Sequence, residues 1–389
     1  MKAQRVDMFV CPMATPADTS GLQMLADSGK IKPDTLVALV GKTEGTGQHD
    51  DWGRVWADVA LREWTAKFLG IPVAEVAQRV IFVLSGGCPG VITPHIAAVT
   101  REMVDVARPS DAKRLVVGRA GSEPIAPEEV GRMGQIHKVA EATHRSMTDA
   151  GLTDPRDVHL VMVEVPGLTV ASIRDAESRG ETVVSHDLTF GPEGAGSYAN
   201  DAAALGVALA LGEVQRSSLS DQVVRRNWDL YSEVAMTSSG GEKRHGEVVV
   251  FGNAAGAQSE LQIGHAVTKD FIDADGVRSA LRSAGVKFNG GLPDAEDLAE
   301  RLVHVFAKSV IPGSDQVRGN RITLLDDVDA YQIGKALGGM LIASVTGRTT
   351  NYVSGGERNS HQGPPGGNIV AAVTRIPASA HTRVPGRPK

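Results

Sequence analysis

Three serines, each followed closely by glycine, are the residues of this chain that most suggest chemistry. Ser85, Ser238 and Ser354 each stand at or near the end of a short apolar run. A serine in that place, with glycine behind it, exposes its hydroxyl and leaves backbone N–H groups free to bind an oxygen. Because the pattern occurs three times, it predicts an internal repeat.

Two further positions recur around each serine, one at a strand end and one at a predicted helix start. A desolvated lysine beside a serine has a lowered pKa and can take the serine proton, while nearby N–H groups stabilise an oxyanion. An arginine at a helix start offers a planar fork to a carbonyl or an anion. The strand-end residues are Lys42, Glu164 and Lys308, and the helix-start residues are Arg54, Asn200 and Lys335.

The elements that must hold these residues alternate between strands and helices, which indicates an α/β or α+β fold. The pattern predicts helices over 51–69, after Pro94-His95, from Pro127 to Gly151, and over 200–211 behind a glycine-rich loop. We predict three similar sequential domains around a pseudo-threefold axis, each a β-sheet with packed helices. Their predicted bounds are 1–108, 109–254 and 255–376, with joints near Pro109-Ser110 and 254–256 and a disordered tail at 377–389.

Composition narrows the class of protein. The chain has 389 residues, too many for one ordinary core, and is 42% hydrophobic and 22% charged, as is typical of a globular protein. A net charge of −6 gives no electrostatic footprint for nucleic acid. We expect no membrane partner, because no apolar run approaches a membrane span. Two cysteines and an N-terminus without a signal peptide favour the cytoplasm.

Five motifs spread over nearly the whole chain are together specific. They are VGKTEG (40–45), DAGLTDP (149–155), LGVALALGE (205–213), SGG (354–356) and HQGPPGG (361–367). By these motifs the sequence resembles the cyanuric acid hydrolase and barbiturase family of ring-opening amidohydrolases. The resemblance implies three domains around one site with three Lys/Ser pairs and three arginines. It also implies a planar cyclic ureide as substrate, no required redox or metal cofactor, and a homo-oligomer, a tetramer in this family.

Carried over residue by residue, the resemblance makes Ser238 the candidate nucleophile, but the lysine expected beside it is Glu164. Either burial raises the pKa of Glu164, or attack moves to Ser85 with Lys42 or to Ser354 with Lys308. Of the three expected arginines only Arg54 is present. Because a ring with three identical edges favours three identical contacts, this favours a substrate ring less symmetric than cyanuric acid. The expected substrate-binding residues are Arg54, Gly86, Asn200, Ser239, Lys335 and Gly355.

Two further questions stay open from the sequence. The family implies a structural Mg²⁺ or Ca²⁺ near 362–367, but Val310 stands at the expected acidic ligand, which leaves backbone carbonyls and Glu357 as ligands. The second question is whether the reactive pair survives, since the loss of a lysine at Glu164 is also expected of a non-catalytic ureide-binding protein.

Overall fold

The computed structural model describes residues 2–48, 50–106, 111–327, 329–356 and 358–377. The helices and strands form three groups in chain order. The first consists of β1 (Lys2–Pro12), α1 (Ser20–Asp27), β2 (Leu36–Thr43), α2 (Trp52–Leu69), α3 (Val76–Arg79), β3 (Ile81–Gly86) and β4 (His95–Asp105). The second consists of β5 (Lys113–Pro124), α4 (Met133–Ala150), β6 (Val158–Pro166), α5 (Val170–Ser178), α6 (Ala195–Leu211), β7 (Ala235–Gly240) and β8 (His245–Ala255).

The third group follows the same plan and adds two short hairpins. It consists of β9 (Leu261–Thr268), α7 (Ala274–Ser283), β10 (Phe288–Asn289), β11 (Leu292–Pro293), α8 (Ala295–Arg301), β12 (Leu302–Val310), β13 (Gln316–Val317), β14 (Asn320–Arg321), α9 (Ala330–Thr346), β15 (Tyr352–Gly356) and β16 (Asn368–Arg375).

Each group contains one four-stranded sheet, and the three sheets have the same strand order. The orders are β1-β4-β2-β3, β5-β8-β6-β7 and β9-β16-β12-β15. In every sheet the last two strands run parallel and the other neighbours antiparallel. The predicted fold, three similar α/β units in sequence, is confirmed.

The inner faces of the three sheets share one apolar core. Val6, Leu160 and Phe306, one from each sheet, belong to this central cluster and are fully buried. Separate clusters lie between the outer face of each sheet and its own helices. Strands covered on both faces read as continuous apolar runs, and β2 is accordingly buried along its whole length. Each fully buried Leu or Phe contributes about 1.5–3 kcal/mol to this arrangement.

The helix predicted after Pro94-His95 is wrong. That segment is the strand β4, which pairs with β1 on one side and with β2 on the other. Its first six residues are buried, so the run lacks the polar alternation that marks a half-exposed strand. The alanines at 97 and 98 add helical propensity that the sheet pairing overrides.

Several other helices also differ from the prediction. Residues 127–150 form two helices, because Gly131 has φ +75° between a short 3₁₀ turn and α4. Helix α5 was not predicted at all. Helix α6 starts at Ala195, inside the stretch predicted as a loop, so Asn200 is its sixth residue rather than its first. Lys335 is likewise the sixth residue of α9, and Arg54 alone lies in a first turn.

Two glycines let helix ends pack directly on strands in corresponding places. A Cβ on Gly118 of β5 would lie 2.0 Å from the carbonyl oxygen of Ser146 in α4. A Cβ on Gly264 of β9 would lie 2.2 Å from the backbone nitrogen of Ala284, at the end of α7. Backbone atoms cannot move away as a flexible side chain can, so only glycine fits at both positions.

The bounds 1–108, 109–254 and 255–376 stay a prediction, and so does the tail. Residues 107–110 and 378–389 lie outside the described part of the chain. Within the described ranges, no helix combines the length and the apolarity that crossing a membrane requires.

Candidate active site

The parallel strand pair of each sheet sets one recurring juxtaposition. Lys42 of β2 is opposite Ser85 of β3, Glu164 of β6 is opposite Ser238 of β7, and Lys308 of β12 is opposite Ser354 of β15. Opposed residues in neighbouring strands place their side chains on the same face. The serines therefore lie within strands near their carboxyl ends, not in turns after them, and each meets its strand-end partner through backbone register.

The two lysines contact their serines in the same way. Lys42 Nζ lies 3.1 Å from Ser85 Oγ and donates to the Gly86 carbonyl at 2.8 Å. Lys308 Nζ lies 3.2 Å from Ser354 Oγ and donates to the Thr237 carbonyl at 2.9 Å, which ties the third unit to the second. Burial lowers the pKa of Lys42 to about 8 and that of Lys308 to about 7. Neutral amines at these positions can accept a serine proton.

The Glu164 carboxylate forms the second pair. Ser238 Oγ donates to Glu164 Oε2 at 2.5 Å, a short distance typical of a hydroxyl bound to a carboxylate. The other oxygen, Oε1, lies 3.4 Å from Arg54 Nη1. Burial raises the pKa of Glu164 to about 7, against the attraction of Lys243 and Arg54, which favours the ionised form. The raised pKa of Glu164 agrees with the first of the two alternatives left open from the sequence, and which serine attacks stays a prediction.

Arg54 has a second acidic partner that sequence reasoning missed. Its backbone N–H caps α2 on the Asp51 carboxylate at 2.9 Å, which fixes where the guanidinium emerges. Its Nη1 donates to Glu242 Oε1 at 3.0 Å across the boundary between the first and second units. The signal that could have found Glu242 is the tetrapeptide Ser-Gly-Gly-Glu, which occurs at 239–242 and again at 354–357. Glu357 itself lies outside the described residues.

The other two positions expected to hold arginine differ from each other. Asn200 is buried, and its Oδ1 has no hydrogen-bond partner among the described residues. Lys335 instead turns toward the first unit, where its Nζ donates to the Gly86 carbonyl at 3.1 Å and lies 4.6 Å from the centre of the Tyr331 ring. Burial, followed by the nearby Lys42 charge, lowers the pKa of Lys335 to about 6.

A single cavity brings most of the predicted site residues together. The cavity is small, with a volume of about 30 Å³. Lys42, Glu164 and Lys335 lie outside its lining. Phe190 and Tyr331, two aromatic residues not predicted, form part of its wall. The predicted residues that line it are Arg54, Ser85, Gly86, Asn200, Ser238, Ser239, Lys308, Ser354 and Gly355.

Tyr352 is a second residue that sequence reasoning missed. It is fully buried two positions before Ser354, and its hydroxyl is hydrogen-bonded to Ser85 of the first unit. Burial raises its pKa well above the usual value. Ser85 therefore has a neutral phenol on one side and Lys42 on the other, and nothing in the local sequence of either strand signals this contact.

Two groups beside the expected divalent-cation site are engaged in other contacts, and Glu357 lies outside the described residues. Val310 places a buried apolar side chain at the expected ligand position, and its N–H donates to Asn368 Oδ1 at 2.6 Å. Gln362 Oε1 already accepts from the Thr237 N–H at 2.7 Å. No group of three His, Cys, Asp or Glu residues within the described ranges could hold a metal ion. The structural metal near 362–367 stays a prediction, and no step proposed below involves a metal.

Comparison with known proteins decides the family. A family model described as amidohydrolase ring-opening protein matches residues 7–375. The chain belongs to the ring-opening amidohydrolases. A cyclic amide hydrolase of Pseudofrankia inefficax is 51% identical over 376 residues, 96% of each chain. Barbiturase 1 of Nocardioides sp. is 42% identical over 378 residues, 95% of this chain and 99% of the relative.

A solved structure supports the same assignment. This cyanuric acid hydrolase, described as an innovation by structural concatenation, superposes with a TM-score of 0.89 at 39% identity. The match covers 96% of this ring-opening amidohydrolase and all of the other chain. The family resemblance found in the sequence, and with it the expectation of a hydrolase that acts on cyclic amides, is confirmed. The roles of individual residues stay predictions.

Proposed function

We propose that this enzyme opens a planar cyclic ureide by attack of Ser238 on a ring carbonyl, with Glu164 as general base. The observation that carries the proposal is the 2.5 Å hydrogen bond from Ser238 Oγ to Glu164 Oε2. A pKa of about 7 suits a base at neutral pH, because about half of the Glu164 side chains are deprotonated there and the group can still hold a proton. Relatives named for cyanuric acid and for barbiturase activity support the ring class.

The chemistry adds one water across one C–N bond. As Ser238 Oγ bonds to the carbonyl carbon, its proton passes to Glu164 and the carbonyl oxygen becomes an oxyanion. Backbone N–H groups at Ser239 and the glycine after it stabilise that charge. When the intermediate collapses, the C–N bond breaks and the ring nitrogen takes the proton from Glu164. Glu164 then takes a proton from water as the water oxygen bonds to the carbonyl carbon of the ester, and it gives that proton to Ser238 Oγ when the bond from the serine oxygen to this carbon breaks.

Ser238 is preferred over the other two serines for two reasons. It is half-buried at the cavity wall, whereas Ser85 and Ser354 are buried. Arg54 contacts the opposite oxygen of Glu164, so the base is held by a third group, as in other activated nucleophiles. The lysine-paired serines, with Gly86 and Gly355, then contact the other edges of the ring.

Further parts of the proposal come from the family. We retain a cytoplasmic location, no required cofactor, and a homo-oligomer such as a tetramer. Arg54, Asn200 and Lys308 contact the substrate directly. Lys335 acts behind the cavity through the Gly86 carbonyl that it shares with Lys42.

The test is a substrate screen followed by serine exchange. Cyanuric acid, barbituric acid and related imides are incubated with the enzyme, and ring opening is followed by absorbance and by release of ammonia or carbon dioxide. Ser238→Ala should abolish turnover, and mass spectrometry of the unmodified enzyme should find the transient acyl group on Ser238. Loss with Ser85→Ala but not Ser238→Ala assigns the attack to the Lys42 pair. Turnover that survives all three serine-to-alanine changes refutes covalent catalysis, and tight binding without turnover favours a binding protein.

A further inference from the structure

The charge of Arg54 is already balanced by the protein. One guanidinium nitrogen, Nη1, faces Glu164 at 3.4 Å and Glu242 at 3.0 Å. The Arg54 side chain is 12% exposed and that of Glu164 1%, so water screens this pair weakly, whereas Glu242 is 35% exposed and is screened more. One cation shared by two carboxylates leaves no net positive charge to attract an anionic ligand.

Asn200 adds an observation of a different kind. It is 6% exposed, lines the cavity, and its Oδ1 has no partner among the described residues. A buried acceptor without a donor costs about 1–3 kcal/mol. Since the carboxamide lies in the cavity wall, a ligand that brings an N–H group would remove this cost. An arginine at this position could only donate and would select a carbonyl or an anion instead.

The third position adds no positive charge to the cavity wall either. The Lys335 side chain is not part of the lining, but its Nζ donates to the carbonyl of Gly86, and both Gly86 and the buried Asp51 line the cavity. Burial lowers the pKa of this amine to about 6, so the amine is largely uncharged at neutral pH. Lys308 is the lysine among the described residues that does line the cavity, and its Nζ donates to the Thr237 carbonyl. The wall therefore combines acceptors and donors rather than a set of cations.

From these contacts we infer that the substrate is a ring uncharged at neutral pH, whose –NH–C(=O)– edge donates to Asn200 Oδ1 and presents its carbonyl to Arg54. This inference rests on the proposed function and narrows its substrate. A ring that ionises would bring a third negative charge beside Glu164 and Glu242, and burial strengthens that repulsion. A neutral ring keeps both carboxylates on Arg54 and satisfies the free amide oxygen.

The experiment measures binding without turnover. Ser238→Ala protein is titrated at pH 7.5 by calorimetry with barbituric acid, which is ionised at neutral pH, and with uracil, a planar ring of similar size that is not. We expect uracil to bind at least tenfold more tightly. Adding Glu242→Gln should strengthen barbituric acid binding at least tenfold relative to uracil, because one carboxylate is lost. Adding Asn200→Arg should shift the ratio further in the same direction.

A matched control removes the same charge elsewhere. Glu141→Gln changes an exposed carboxylate on α4, far along the chain from the site, and should leave the ratio of the two affinities unchanged. Tighter binding of barbituric acid to the Ser238→Ala protein, or a ratio that Glu242→Gln does not move, overturns the inference. Failure of both rings to bind overturns it as well. If the two rings bind with the expected ratio but the unmodified enzyme opens neither, the proposed hydrolysis is refuted, while the preference of the cavity for an uncharged ring is retained.

Discussion

Replacing Glu164 by glutamine separates the proposed base from every other residue of the site. The amide keeps the size of the side chain and can still accept a hydrogen bond from Ser238, but it cannot take a proton. General bases contribute about 10²–10⁴-fold to a rate, so kcat should fall by about that factor. In the unmodified enzyme kcat should rise with pH around 7, since Glu164 must be ionised to act. That rise should be absent from the variant.

The same substitution makes an opposite prediction for stability. Folding raises the pKa of Glu164 from 4.5 to about 7, so the folded chain holds a proton that the unfolded chain has lost between those values. Stability therefore falls as pH rises through this window, and above pH 7 the cost is about 3 kcal/mol at 1.36 kcal/mol per pKa unit. Glutamine does not ionise. Glu164→Gln should thus be more stable than the unmodified enzyme at pH 8, less any loss at Arg54, and gain nothing at pH 4.

Two measurements check this pair of expectations. Steady-state rates between pH 5.5 and 9 give kcat, and urea unfolding at pH 4 and pH 8 gives the free energy of unfolding. Glu141→Gln on the exposed face of α4 is the control and should change neither. A variant that keeps more than a tenth of kcat, or that keeps the rise near pH 7, refutes the role of Glu164. The rise would then be assigned to Lys308, whose pKa is also about 7.

Three other substitutions test separate features. Burial lowers the pKa of Lys308 from 10.5 to about 7, so between those pH values the unfolded chain alone is protonated there and the free energy of unfolding rises with pH. Lys308→Met should reduce the slope of unfolding free energy against pH by about 1.4 kcal/mol per pH unit between pH 8 and 9.5. An unchanged slope contradicts the lowered pKa. Gly264→Ala forces a Cβ against the end of α7 and should cost about 3 kcal/mol in urea unfolding, while Gly167→Ala, which meets its nearest neighbour at 3.4 Å, should cost far less. Burial raises the pKa of Cys88 to about 11, so the thiol stays protonated and unreactive at pH 8. Iodoacetamide at pH 8 should therefore leave the enzyme active, and Cys88→Ala should keep its kcat. Rapid inactivation by the reagent would show a reactive thiolate.

The pairing of bases with serines could be predicted because it is local in each repeat. In each repeat a strand end is followed by a serine and a glycine-rich step, 43, 74 and 46 residues later, and parallel pairing then makes residues such as Lys42 and Ser85 neighbours. Only the three-fold recurrence separates these residues from ordinary turns. The raised pKa of Glu164 was one of two alternatives, since burial cannot be read from a single glutamate.

Contacts between units could not be predicted in the same way. Arg54 and Glu242 are 188 positions apart in the chain, and Tyr352 reaches Ser85 from the third unit. Such contacts depend on how three sheets pack on a common core, which no local pattern specifies. The strand β4 was predicted as a helix for a related reason: a strand buried on both faces carries no period to recognise.

Because all three parallel strand pairs belong to one polypeptide, a codon change at one of them leaves the other two untouched. A homotrimer of identical chains cannot do this, since every substitution would appear three times. Evolution of such a chain can therefore exchange an amine for a carboxylate beside one hydroxyl and keep two lysines where they were. The position beside each serine is set by backbone hydrogen bonds between strands and not by the side chain that occupies it. Single substitutions at this position can therefore change the chemistry of the site without changing the fold.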